Sequence, residues 1–109
     1  MSTRSTKLGS IKPAAAVETI LFTVPVGYTY IVKDVVALNG GGGTDLVAAY
    51  AKDAGGLRGV CFYNTTIAAF AIARFAGWLV LNPGEQFAVY AGSGRSEFWV
   101  SGTSLVGSV

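Results

Sequence analysis

From Val17 onward the chain reads as short runs of β-branched and aromatic residues, and nearly every run stops at glycine or at proline followed by glycine. Val, Ile, Thr and ring side chains suit a pleated, half-buried backbone, whereas Gly and Pro interrupt one. VETILFTV, YTYIVKDVVALN, TDLVAAYAK, LRGVCFYN, TTIAAFAIARFAG, GWLVLNPG, EQFAVYAG and SEFWVSGTSLV give about eight strands at roughly ten-residue spacing. The links between them are too short for the crossover helices of a parallel sheet. The expected fold is therefore all-β: a single antiparallel β-sandwich of about eight strands over residues 17–109, with a jelly roll as one such arrangement. Residues 1–16, MSTRSTKLGSIKPAAA, are polar and then alanine-rich, and read as an extended N-terminal arm.

Local chemistry refines this pattern. Pro25-Val26-Gly27 and Asn82-Pro83-Gly84 are two similar turns, with Pro83 at the second corner and Gly84 where a positive φ is needed. In VETILFTV, Ile20, Phe22 and Val24 alternate onto one face. Lys33 and Asp34 are adjacent, so they point to opposite faces unless a bulge intervenes. TTIAAFAIARFAG is ambiguous: Ile67, Phe70, Ala71, Arg74 and Phe75 approach helical spacing, yet Phe70, Ile72 and Arg74 also alternate, and its neighbours favour a strand. NGGGGTD reads as a flexible loop. It lacks the lysine of a phosphate loop, and GSGRSEF runs into a strand, so both are expected to be hairpin loops.

Composition narrows the function. Hydrophobic residues are 51% and charged residues 13%, about half the usual ~25% charge of a soluble domain. No run approaches the ~18 apolar residues of a spanning helix, and the most apolar stretch, Ile67 to Leu81, contains Arg74 and Gly77. The low charge points instead to surface covered by other protein. Arg4, Lys7 and Lys12 place three positive charges in the first sixteen residues, and the rest holds five bases against six acids. Three charges are too few to argue for nucleic acid, so neither nucleic acid nor membrane is expected as a partner.

Catalytic chemistry is sparse. The chain has no histidine, which removes Ser-His-Asp and Cys-His catalysis and most zinc and iron sites. Cys61, the one cysteine, sits among apolar residues and reads as a small core residue. The six carboxylates include Asp45 and Asp53, which flank one strand near glycine loops; their spacing matches no calcium loop, and they read as solvated turn residues. A 109-residue sandwich leaves little room for a glycosidase cleft. Asn64-Thr65-Thr66 matches a glycosylation sequon, relevant only to a secreted chain. The expectation is a non-enzymatic protein without metal or cofactor.

Aromatics make up 12% of the chain, and most are expected in the core. In SEFWVSG, adjacent Phe98 and Trp99 must face opposite ways, so at most one enters the core and the other needs a second cover, such as a subunit interface. Tyr28, Tyr30 and Trp99, with Arg4, Lys7 and Lys12 on the arm, are the candidate assembly residues. An exposed sugar platform at Trp99 or Tyr28 is the alternative use.

Three phrases carry a resemblance. LFTVPVGYTYIVKDVVALN, GWLVLNPGEQFAVYAGSG and FWVSGTSL, between Leu21 and Leu105, resemble a class of tailed-bacteriophage virion proteins: a strand, a Pro-x-Gly turn, a strand ending in Asn, a Trp-led strand into a Pro-Gly turn, and a closing V-S-G strand. The GGGG loop and the alanine-rich segment lie outside that pattern. The resemblance implies a β-sandwich virion subunit, made in the host cytoplasm and located in the virion. Its most specific form is a capsid decoration protein that cements the head shell, binding the major capsid protein or another virion protein, with a homotrimer favoured. A tail, neck or fibre-associated component and a carbohydrate-binding module are the alternatives.

Overall fold

The computed structural model describes residues 6–106 and holds eight strands. These are β1 (Thr6–Ile11), β2 (Thr19–Thr23), β3 (Tyr28–Asn39), β4 (Asp45–Asp53), β5 (Gly56–Ile67), β6 (Ile72–Leu81), β7 (Gln86–Ala91) and β8 (Ser96–Val106). They form two four-stranded sheets, ordered β1-β8-β3-β6 and β2-β7-β4-β5. β1 pairs with β8, β2 with β7, β3 with β6 and β4 with β5, all antiparallel. This is one long hairpin rolled into a sandwich, the eight-stranded jelly roll. The core lies between the sheets, where Phe87 and Phe98 are fully buried with Val32, Val35, Val47, Leu81, Val89 and Val100.

Rolling places the corners of the hairpin side by side and explains the two similar turns. β2→β3 and β6→β7 both cross between sheets, and they do so at the same corner. The Tyr28 amide donates to Pro25 O and the Glu85 amide to Asn82 O, with φ +86° at Gly27 and +87° at Gly84, the pattern of a type II turn. The turns also bond to each other: Val24 N donates to Glu85 O and Gly84 N to Val24 O, both at 2.9 Å. A Cβ on Gly84 would meet nothing within 4 Å, so alanine there pays only for the left-handed backbone. Gly84→Ala is expected to lower stability by about 1–2 kcal/mol in urea unfolding, and an unchanged midpoint would refute the turn assignment.

Two buried polar residues organise the opposite end. Asn39 Nδ2 donates to the carbonyls of Gly43, Ile67 and Ala68, and its Oδ1 accepts from Gly41 N. Asp45 Oδ1 accepts from Ser93 N at 2.7 Å, and its Oδ2 accepts from Arg95 N at 3.0 Å and Ser96 Oγ at 2.7 Å. Asp45 is therefore a buried acceptor rather than a solvated turn residue, whereas Asp53 does cap an exposed turn through Gly55 N. The NGGGGTD loop is likewise shaped: Arg95 lies across Gly41 and Gly43, and its Nη1 donates to Thr44 O. Neither this loop nor GSGRSEF closes a hairpin, since both cross between sheets; β4→β5 alone among the described residues turns within one sheet.

Other boundaries differ from the sequence expectation. Thr6–Ile11, within the stretch read as an arm, is strand β1 on the edge of the first sheet, where Ile11 opposes Phe98. Removing residues 2–12 would therefore strip a strand from β8. The ambiguous segment is strand, turn, strand: β5 runs to Ile67, the Ala71 amide closes a turn on Ala68 O, and β6 continues through Gly77 to Leu81. No glycine marks that turn; Phe70 takes the positive φ, +57°. A register shift at Leu21 turns Ile20 outward and brings Leu21 and Phe22 onto the core. Cys61 is half-buried against the core, and burial pushes its thiol up to about 12, which makes it a poor nucleophile.

Candidate functional site

The outer face of the β1-β8-β3-β6 sheet is built by alternation plus one bulge. Along β8, Phe98 is fully buried and Trp99 is 44% exposed on the outside. Along β6 the exposed positions are Ile72, Arg74, Ala76, Trp78 and Val80, with Trp78 at 71%. Leu38 on β3 is exposed opposite Ile72. One sheet face thus carries two tryptophans, two branched residues on β6 and one leucine.

The bulge sets the charges on this face. The β3–β8 ladder pairs Val32 with Gly102 and then Asp34 with Ser101, which leaves Lys33 as an extra residue. Lys33 and Asp34 are then both half-exposed, although adjacent in sequence. Lys33 Nζ sits 4.9 Å from the centroid of the Trp78 ring. The Asp34 carboxylate accepts from Arg74 Nε at 3.0 Å and Nη2 at 2.8 Å, a two-pronged pair that pushes the Arg74 guanidinium further up. Gly102 permits the bulge, since a Cβ there would lie 1.9 Å from Ile31 O. On the next strand, Lys7 Nζ lies 4.7 Å from the Trp99 centroid. Each tryptophan is therefore capped by an ammonium, an interaction of ~0.5–1 kcal/mol at exposed sites.

Of the residues singled out in the sequence, Lys7 and Trp99 come together. Lys12 is exposed just beyond β1, and Arg4 lies outside the described residues. Tyr28 and Tyr30 are half-buried instead: their rings meet edge-on at 6.3 Å, and Tyr30 packs 5.3 Å from Phe22. Sequence reasoning missed Trp78, Lys33 and the Asp34–Arg74 pair. The signal for Trp78 was alternation along β6, broken by taking Gly77 as punctuation.

No protein-family model matches the chain, and no curated protein matches it. Among solved structures, the chain is similar to one of infectious bursal disease virus Gt strain, at 13% identity and a TM-score of 0.45, over 94% of this chain and 32% of that chain. It is also similar to one of the Gx strain, at 13% identity and 0.45, over 95% of this chain and 29% of that one. The chain spans less than a third of the length of the chains it matches.

Proposed function

We propose that this protein is a structural subunit of a virion, docked through the outer face of the β1-β8-β3-β6 sheet. In its most specific form it is a decoration protein that binds and stabilises the head shell of a tailed phage as a homotrimer. The observation that carries the docking is the exposure of Trp78 and Trp99 on one rigid sheet face of a chain with only 13% charged residues. Exposed tryptophans on such a face are typical anchors for a protein partner. The virion assignment rests on the three phrases resembling tailed-phage virion proteins. Two of them map onto features of this site: Gly102 of FWVSGTSL permits the bulge, and GWLVLNPG carries Trp78.

The geometry also favours a partner chemistry. Lys7 and Lys33 each lie over a ring, and Arg74 is already engaged by Asp34, so the face offers apolar rings with two positive rims. An apolar patch edged by carboxylates, on the major capsid protein, another virion protein or a second copy, complements it.

The test joins assembly state to shell binding. By light scattering, wild-type protein is expected as a stable trimer. A Trp78→Ser, Trp99→Ser double variant loses two cation–π contacts of ~0.5–1 kcal/mol each, and is expected to fold with its thermal midpoint lowered by several degrees and to lose shell occupancy at least tenfold. Wild-type protein that stays monomeric and leaves purified shells bare would overturn the proposal. Labelled particles separate head from tail: a signal over the whole head fits decoration, and a signal at one vertex fits a neck or tail component.

A further inference from the structure

The second sheet has a different outer face. On β4 the outward residues are Leu46, Ala48, Tyr50 and Lys52, and the ladder sets Tyr90 opposite Ala48 and Ala88 opposite Tyr50. On the other side of β4, the register passes from Val47–Thr65 to Ala49–Phe62, so Ala48 faces two β5 residues, Tyr63 and Asn64. Asn64 holds φ +50° within a twelve-residue strand. This is a β-bulge, and it turns two consecutive side chains onto one face. The result is a trough with an alanine floor, walled by Tyr90 on one side and by Tyr63 and Asn64 on the other.

The trough continues along β4. A depression of about 190 Å³ lined by Tyr90, Ala48 and Asn64 meets a second of about 230 Å³ lined by Glu18, Lys52 and Leu57, and Tyr50 and Tyr63 border both. From Leu46 to Lys52 it runs about 20 Å at ~3.3 Å per residue. The Tyr50 and Tyr63 rings lie 6.1 Å apart and tilted by 60°. At the far end the Tyr50 hydroxyl donates to Glu18 Oε2, and Lys52 Nζ donates to Glu18 Oε1 at 2.8 Å. The hydrogen bond from Lys52, then that from Tyr50, holds the Glu18 carboxyl below its usual range, so it is an ionised acceptor at neutral pH.

We propose that this trough binds a neutral oligosaccharide. Tyrosine rings offer flat apolar faces to the C–H side of a sugar ring, and Asn64, Glu18 and Lys52 offer the acceptors and donors that hydroxyls need. The carboxylate and the ammonium neutralise each other, so nothing in the trough selects a charged ligand. A peptide added as a β-strand is a poor fit, because strand addition needs the unpaired backbone of a sheet edge and the floor here is β4, paired on both sides by β5 and β7. The trough lies on the opposite side of the sandwich from the tryptophan face, so both surfaces can be occupied at once.

Titration of the isotope-labelled full chain with neutral trisaccharides of glucose, galactose, mannose and N-acetylglucosamine, followed by amide shifts, tests this. At least one is expected to perturb Ala48, Tyr63, Asn64 and Tyr90 at millimolar concentration. Tyr63→Ala is expected to weaken that binding more than tenfold. Asn64→Gly relieves the left-handed backbone, and is expected to fold at least as stably while binding about tenfold more weakly. Absence of shifts in the trough with all four sugars, or shifts centred on Trp78 and Trp99, overturns the proposal. Shell occupancy of Tyr63→Ala is expected to match wild type, which keeps this test separate from that of assembly.

Discussion

Gly102→Ala is expected to be among the most damaging single-methyl changes in this protein. The added carbon would stand 1.9 Å from Ile31 O, 2.9 Å from Ile31 C and 3.1 Å from Lys33 N. All three are main-chain atoms, so no side chain can swing away, and β3 must part from β8 where the bulge joins them. Overpacking typically costs 1–3 kcal/mol, and a backbone clash belongs at or above the top of that range. About 3 kcal/mol lowers the thermal midpoint of a chain this size by roughly 12 °C or more. The lesion also has a functional signature. Losing the bulge moves Lys33 off Trp78 and Asp34 off Arg74, so under the proposed docking any folded remainder is expected to bind shells poorly. A variant within 0.5 kcal/mol of wild type would show that the strands do not approach as described.

Asp45→Ala is the second large effect. It removes the acceptor for Ser93 N, Arg95 N and Ser96 Oγ and leaves those donors facing an apolar gap. Hydrogen bonds to a charged group are worth about 1.5–3 kcal/mol each, and they are not additive, so a loss of about 3–4 kcal/mol is expected. Burial pushes the Asp45 carboxyl up, but the bonds from Ser93, Ser96, Arg95 and Leu46 outweigh it and hold the group below the usual carboxylate range. The sign of the pH effect follows. A carboxyl whose folded pKa is depressed stabilises the fold fully above its unfolded value, and that contribution fades as pH falls through the folded value. Urea unfolding at neutral pH and near pH 3 reads this directly: the gap between wild type and Asp45→Asn is expected to narrow in acid. A gap that stays constant would mean that folding does not depress the Asp45 pKa, and one that widens in acid would mean that the group is held protonated in the native state.

These two positions mark where the sequence was readable and where it was not. The strand rhythm was plain, because Val, Ile and ring residues alternate along SEFWVSG and put Phe98 in and Trp99 out. The paired turns were readable because Pro83 and Gly84 have few other uses. The adjacent Lys33 and Asp34 raised the bulge as a condition, and the structure has it. β1 was illegible because TKLGSI is mostly polar: it is an edge strand with one face open to water, and Gly9 leaves space filled by Leu21. Asp45 passed for a turn residue because a carboxylate gives no sign in sequence of how many amides converge on it. The Ala68–Ala71 turn lacked glycine, and its backbone is held by Asn39, twenty-eight residues from Ile67. The trough depends on Asn64 adopting a left-handed conformation inside a strand, which no local pattern announces.

The rolled hairpin also sets an order of events. β4 and β5 are joined by a tight turn and can pair early, whereas β1 and β8 are the most distant partners and must wait for every pair between them. Loop-closure cost rises with separation, so the outermost pair is expected to form late and to open first. β1 carries Lys7, whose ammonium completes the surface over Trp99. If the protein docks through this face as proposed, the face is finished only when the last strand is laid down. A chain caught partway through folding lacks that finished face, and assembly through it would act as a check on the completeness of each subunit.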